Sequence, residues 1–163
     1  MKRKALAITL AAAMAMGTCA VTASAADGDK YTIGICQLVQ HEALDAATQG
    51  FKDEVTKELG EDAVTFDEQN AQGDSNTCST IINSFVSNNV DLILANATPA
   101  LQAAAAGTSD IPILGTAVTE YGVALDLTDF DGTVGGNISG TSDLAPLDQQ
   151  ADMLHELFPD AKN

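Results

Sequence analysis

The stretch from Thr77 to Gly107, TCSTIINSFVSNNVDLILANATPALQAAAAG, decides the fold. It reads as helix, strand, helix. Between Thr77 and Asn88, the residues Cys78, Ile81, Ile82, Phe85 and Val86 recur at helical spacing and make one apolar face. Asp91 to Ala95 (DLILA) is a short apolar strand, the pattern of a parallel strand buried on both faces. Thr98 and Pro99 then start a helix, Thr98 as its cap and Pro99 at the first helical position, and it runs to about Ala106 and stops at Gly107.

The same alternation extends in both directions. Tyr31 to Leu38 (YTIGICQL) is a strand-like apolar run. It is followed by a helix from Leu44 to Leu59, with Leu44, Ala47, Phe51, Val55 and Leu59 on one face and Gly60 as its stop. Val64 to Gln69 alternates Val64, Phe66 and Glu68 with Thr65, Asp67 and Gln69, which suits a sheet edge with one wet face. Ile111 to Gly115 is expected as a fourth strand, with Pro112 tolerated near its start. Thr119 to Gly136 reads as a loop, Asn137 to Gly140 as a brief strand, and Leu147 to Phe158 as a last helix stopped by Pro159. Such alternation implies an α/β fold with a doubly wound parallel sheet. The edge character of the second strand points to the order 2-1-3-4 of flavodoxin-like folds.

The N-terminus adds an address. Lys2, Arg3 and Lys4 precede an apolar run from Ala5 to about Met16, and small residues end in Ala23-Ser24-Ala25. That order predicts a secretory signal peptide over residues 1–25. The run is shorter than the roughly 20 residues of a membrane-spanning helix. Two fates stay open: cleavage after Ala25, or lipid attachment at Cys19. Thr18 is a poor residue before a lipidated cysteine and no Ser/Gly-rich tether follows, which favours cleavage. Without the signal, 23 acids face Lys30, Lys52, Lys57 and Lys162, a formal charge of −19. Such a field repels nucleic acid and anionic lipid, so neither is an expected partner. Cys36 and Cys78 remain, too few for a disulfide framework, and buried free thiols are their expected state.

In a doubly wound sheet, ligands bind beyond the carboxyl ends of the strands. Four loops qualify: Gln37 to His41, the segment with Asn70, Gln72 and Asp74, Asn96 to Thr98, and Thr116 to Thr119. They are rich in amides and hydroxyls and poor in cations, which suits a small polar ligand held by hydrogen bonds. A helix start such as Thr98 offers free N–H groups to a carboxylate. For any one residue the plain alternative is that Thr98 caps its helix and Asn70 makes a turn. The sequence has no G-x-G-x-x-G, Walker-type, H-E-x-x-H or G-x-S-x-G pattern, so no catalytic residue, cofactor or metal is expected.

Three stretches carry a family resemblance: IGICQLVQHEALDAATQGFKDEV (Ile33 to Val55), NAQGDSNTCSTIINSFVSNNVDLILANATPALQAAA (Asn70 to Ala105) and NISGTSDLAPLDQQADMLHELFPDAK (Asn137 to Lys162). They resemble the ABC transporter substrate-binding proteins of the tryptophan/tyrosine-type group. The resemblance implies a two-lobed extracytoplasmic receptor that closes on a small solute and works with an ABC permease in the membrane. It places ligand contacts at Gln37, Asn96-Ala97-Thr98 and Thr116-Ala117-Val118; Asn70, in the loop after the second strand, and Asp143, in the crossing between lobes, are further ligand-binding candidates. Thr119-Glu120-Tyr121 stands where the family usually reads Thr-Asp-Pro; Tyr121 either stacks on an aromatic ligand or only covers the loop. Members run to about twice this length. The expectation is therefore a first lobe over 26–140, then a hinge crossing and the first helix of a second lobe over 141–163, with the chain cut short. Weak ligand binding is expected of such a half. Two other readings compete: an exported ligand-sensing domain of a signalling receptor, and a small exported α/β enzyme.

Overall fold

The computed structural model describes residues 30–160, so the expected signal segment and Cys19 lie outside the described residues. Five strands form one parallel sheet in the order β2-β1-β3-β4-β5. They are β1 (Tyr31–Gln37), β2 (Val64–Asn70), β3 (Leu92–Asn96), β4 (Ile113–Val118) and β5 (Ile138–Ser142). The helices are α1 (Glu42–Leu59), α2 (Ser75–Ser87), α3 (Thr98–Gly107), α4 (Tyr121–Ala124) and α5 (Leu147–Leu157). The expected order of the first four strands is the observed one, and β5 extends the sheet beyond β4.

Strand alternation divides the core in two. On one face Ile33, Ile35 and Leu94 pack under α1, against Phe51 and Val55. On the other, Cys36, Ile93, Ala95 and Ile113 meet α2 and α3 through Cys78, Ile82, Phe85, Leu101 and Ala104. Gly34 lies on this second face, where Phe85 occupies the space a side chain would need. The two cysteines sit in this core as buried free thiols.

Three local expectations change. β4 spans Ile113–Val118 rather than 111–115. Pro112 cannot donate to the ladder and stands just outside, its carbonyl accepting from Ile93 N at 2.9 Å. Thr116 to Val118 therefore belong to a strand, not a loop. Within the expected 119–136 loop, Glu120 caps the short α4 by accepting from Gly122 N and Val123 N at 2.8 and 2.6 Å. Four residues are too few to show helical periodicity in sequence. β5 runs to Ser142, two residues past the boundary at Gly140 read from the sequence.

The helix α5 stands clear of the sheet. All its residues are exposed, and its apolar stripe shows Leu147, Leu154 and, just beyond, Phe158 at 64, 56 and 62% exposure. Among the described residues no helix is long and apolar enough to cross a membrane.

Candidate functional site at the strand ends

A polar rung closes the sheet at its carboxyl edge. Asn70 pairs in register with Gln37, Gln37 with Asn96, and Asn96 with Thr116. Four loops that lie far apart in sequence thus end side by side. The helices α1 to α4 each start just beyond this edge, so their N-terminal N–H groups gather there.

The rung residues play different parts. Register partners in a parallel sheet point to the same face, and here that face is covered by α1. Gln37 and Asn96 are accordingly 4% and 0% exposed and point under α1 rather than out of the edge. Gln37 Nε2 donates to Val39 O at 3.0 Å and to Asp45 Oδ1 at 2.6 Å, while its Oε1 accepts from Thr48 Oγ1 at 2.7 Å. Asn96 Nδ2 donates to Leu44 O at 2.8 Å and to Thr48 Oγ1 at 2.9 Å. Asn70, on the edge strand, is exposed and closes a turn, its Oδ1 accepting from Gln72 N at 2.8 Å.

The backbone at the edge is strained where it turns outward. Ala97 has φ 94° and ψ 157°, a region that is nearly restricted to glycine. Ala117 has φ 52°, at the irregularity where the β4–β5 register shifts between Gly115 and Val118. The two segments are tied together, Ala97 N donating to Thr116 O at 3.0 Å. Thr98 does not cap α3, contrary to its reading from sequence. It is the helix's first residue, Ala97 holds the cap position, and no side chain caps this N-terminus. By contrast His41 Nδ1 caps α1 by accepting from Ala43 N at 3.2 Å, and Asp74 caps α2 by accepting from Asn76 N at 2.7 Å. Among these three helices, α3 presents a first turn that no side chain caps, bordered by half-buried Leu38, Thr98 and Thr116.

Tyr121 is 5% exposed. Its ring lies over Gly115 and its hydroxyl lies against Gly140, paired residues of β4 and β5 that leave room for it, and the hydroxyl donates to Thr141 O at 3.3 Å. Burial and the nearby Asp143 carboxylate raise its phenol above the ordinary tyrosine value. Val118 is fully buried, and Asp143 is exposed with its N–H donating to Val118 O at 3.0 Å. Thr48 was not singled out from sequence; one hydroxyl on a helix face carries no periodic or motif signal.

An open groove of about 600 Å³ runs beside β5, lined by Tyr121, Phe130, Val134, Ile138 and Leu144 among others. It does not lie over the rung. Among the described residues no cluster of histidine, cysteine and carboxylate groups could hold a metal ion.

A family model described as ABC transporter substrate binding protein matches residues 32–163. The chain belongs to this family. A tyrosine-binding protein from Clostridioides difficile (strain R20291) is 44% identical over 134 residues, covering 80% of this chain and 38% of that relative. A solved ABC domain in complex with L-Trp from Streptococcus pneumonia superposes with a TM-score of 0.75 at 34% identity, covering 82% of this chain and 45% of that one. The ligand-free, open structure of a substrate-binding protein with adhesive properties from Clostridium difficile gives a TM-score of 0.71 at 43% identity, covering 81% and 45%. This family member therefore spans less than half the length of the relatives it matches. These relatives are binding proteins, not enzymes, and the parallel sheet accords with one lobe of such a protein.

Proposed function

We propose that the chain supplies one wall of an extracytoplasmic receptor that captures a small organic solute, an amino acid with an aromatic or apolar side chain, for an ABC importer. The observation that carries this reading is the uncapped first turn of α3, held outward by Ala97 at φ 94° between the 38–41 loop and Thr116. Free N–H groups at a helix start suit a carboxylate, and the macrodipole favours a negative charge there. Asp45, exposed at the start of α1, supplies a carboxylate of the sign an ammonium group requires. Half-buried Leu38 and Val39 supply apolar surface nearby. The names of the relatives, one tyrosine-binding and one solved with L-Trp, support the ligand class. The signal-like N-terminus supports export, and the family supports an ABC permease as partner.

The test is calorimetric titration of L-tyrosine, L-tryptophan and L-leucine, with L-aspartate as control. It is made on the chain itself and on a chimera that continues from Asn163 into the part of the C. difficile relative that follows the matched segment. The chimera is expected to bind an aromatic or apolar amino acid, and the chain alone about 100-fold more weakly or not at all, since one wall leaves much of a ligand's surface in water. A folded chimera that binds none of these, while the relative itself binds one, would refute the reading.

A further inference from the structure

The buried triangle of Gln37, Thr48 and Asn96 has a property that packing alone does not require. Three polar side chains from β1, α1 and β3 meet under the first turns of α1, each at most 4% exposed. The Thr48 hydroxyl donates to Gln37 Oε1 at 2.7 Å and accepts from Asn96 Nδ2 at 2.9 Å. Asn96 Nδ2 also reaches Gln37 Oε1 at 3.5 Å and Leu44 O at 2.8 Å. Yet Asn96 Oδ1 finds no donor among the protein groups. A partly satisfied buried network is worth less than an apolar core of the same volume. Ile35 and Leu94, two residues back on the same face, show that this interface accepts an apolar core.

We infer that Thr48 is a positioning residue, which sets the height and rotation of the start of α1 over the strand ends and thereby shapes the ligand wall. The geometry supports this through what the triangle holds. Gln37, fixed by Thr48, grips Val39 O and Asp45 Oδ1, so one bond orders both the 38–41 loop and the first turn of α1. Asn96, fixed by the same hydroxyl, ends β3 one residue before the strained Ala97. The hydroxyl of Thr48 therefore links the end of β1, which holds the 38–41 loop, to the end of β3, which leads into α3. Apolar side chains would fill the space without fixing a direction, because dispersion contacts are not directional. The effect on ligand affinity rests on the proposed binding function; the effect on backbone order does not.

Two variants separate hydroxyl from volume: Thr48→Val keeps the shape and removes the bonds, and Thr48→Ser keeps the bonds. The first readout is amide hydrogen exchange of the full chain. With Thr48→Val, exchange at the hydrogen-bonded amides of Ala43 and Asp45 is expected to quicken by about tenfold, the ratio that one net hydrogen bond amounts to, with β4 unchanged. Thr48→Ser is expected to match the parent. Equal exchange in parent and Thr48→Val, or equal loosening in both variants, would overturn the inference. Asn96→Leu breaks the triangle from β3 and stands in should Thr48→Val not fold. The second readout is affinity of the chimera for L-tyrosine and L-tryptophan, expected to fall about tenfold in Thr48→Val and to be restored in Thr48→Ser. If the parent chimera binds neither while exchange behaves as expected, the ligand reading fails and the positioning role stands.

Discussion

Replacing Gly34 by alanine is expected to destabilise the protein in a way the structure quantifies. Gly34 lies in β1, an interior strand of the sheet between β2 and β3, facing α2. A Cβ built there falls 2.6, 2.7 and 2.9 Å from Cδ2, Cγ and Cε2 of Phe85. Carbon atoms in contact settle near 3.5–4.0 Å, so the ring must retreat by about 1 Å. Phe85 is fully buried among Cys36, Ile82 and Val90 in the same core, and a ring cannot fold back as an aliphatic tip can. Either α2 lifts from the sheet or the ring leaves its rotamer, and overpacking of this kind costs about 1–3 kcal/mol. Loss of the glycine's freedom in the unfolded chain returns about 0.4–1 kcal/mol. The net expectation is a loss of about 1–2 kcal/mol, or a melting temperature lower by about 3–8 °C. Urea denaturation followed by circular dichroism measures it. Adding Phe85→Leu should couple favourably, the double variant losing at least about 1 kcal/mol less than the two singles together. A Gly34→Ala protein as stable as the parent, or two effects that simply add, would refute the contact as drawn.

Further outcomes follow from the site and its surroundings. Ala97→Val should cost at least about 2 kcal/mol, because a β-branched residue at φ 94° adds strain, whereas Ala97→Gly should leave the urea midpoint unchanged or higher despite its lost methyl group. Tyr121→Ala opens a cavity over Gly115 and Gly140 and should cost about 3–5 kcal/mol in the same assay. Burial raises the thiols of Cys36 and Cys78, and the folded state therefore keeps them protonated where the unfolded chain ionises. Stability from these groups is full below the ordinary thiol value near 9.0 and falls as pH rises past it, and both should resist a thiol reagent until denaturant is added. Ending the chain at Asp143 should leave the unfolding free energy within about 0.5 kcal/mol of the parent, since no residue of α5 is buried, and should lower binding of an apolar dye.

The elements that were legible in the sequence are those whose burial repeats. Cys78, Ile81, Ile82 and Phe85 mark α2 because one face of a helix recurs within a turn, and all four are buried. The polar alternation of β2 placed it at the sheet edge, and from that came the strand order. What misled was local chemistry with two uses. Thr98 before Pro99 has the form of a cap, but the chain turns one residue earlier and Ala97 takes the position. The seat of Tyr121 against Gly115 and Gly140 is likewise set by tertiary packing and carries no sequence signal.

For the candidate site the division is sharper. The sequence by itself marked the residues that end the first three strands, because the strand patterns stop there and amides begin: Gln37, Asn70 and Asn96; Thr116, read as a loop residue, lies inside β4. Tertiary structure alone decided which way they point. Register aligns them in one rung on the face that α1 covers, so Gln37 and Asn96 are enclosed and Thr48 joins them. The physical reason is that a strand's period of two assigns each side chain to a face, but only the packed helices determine whether that face is core or cleft.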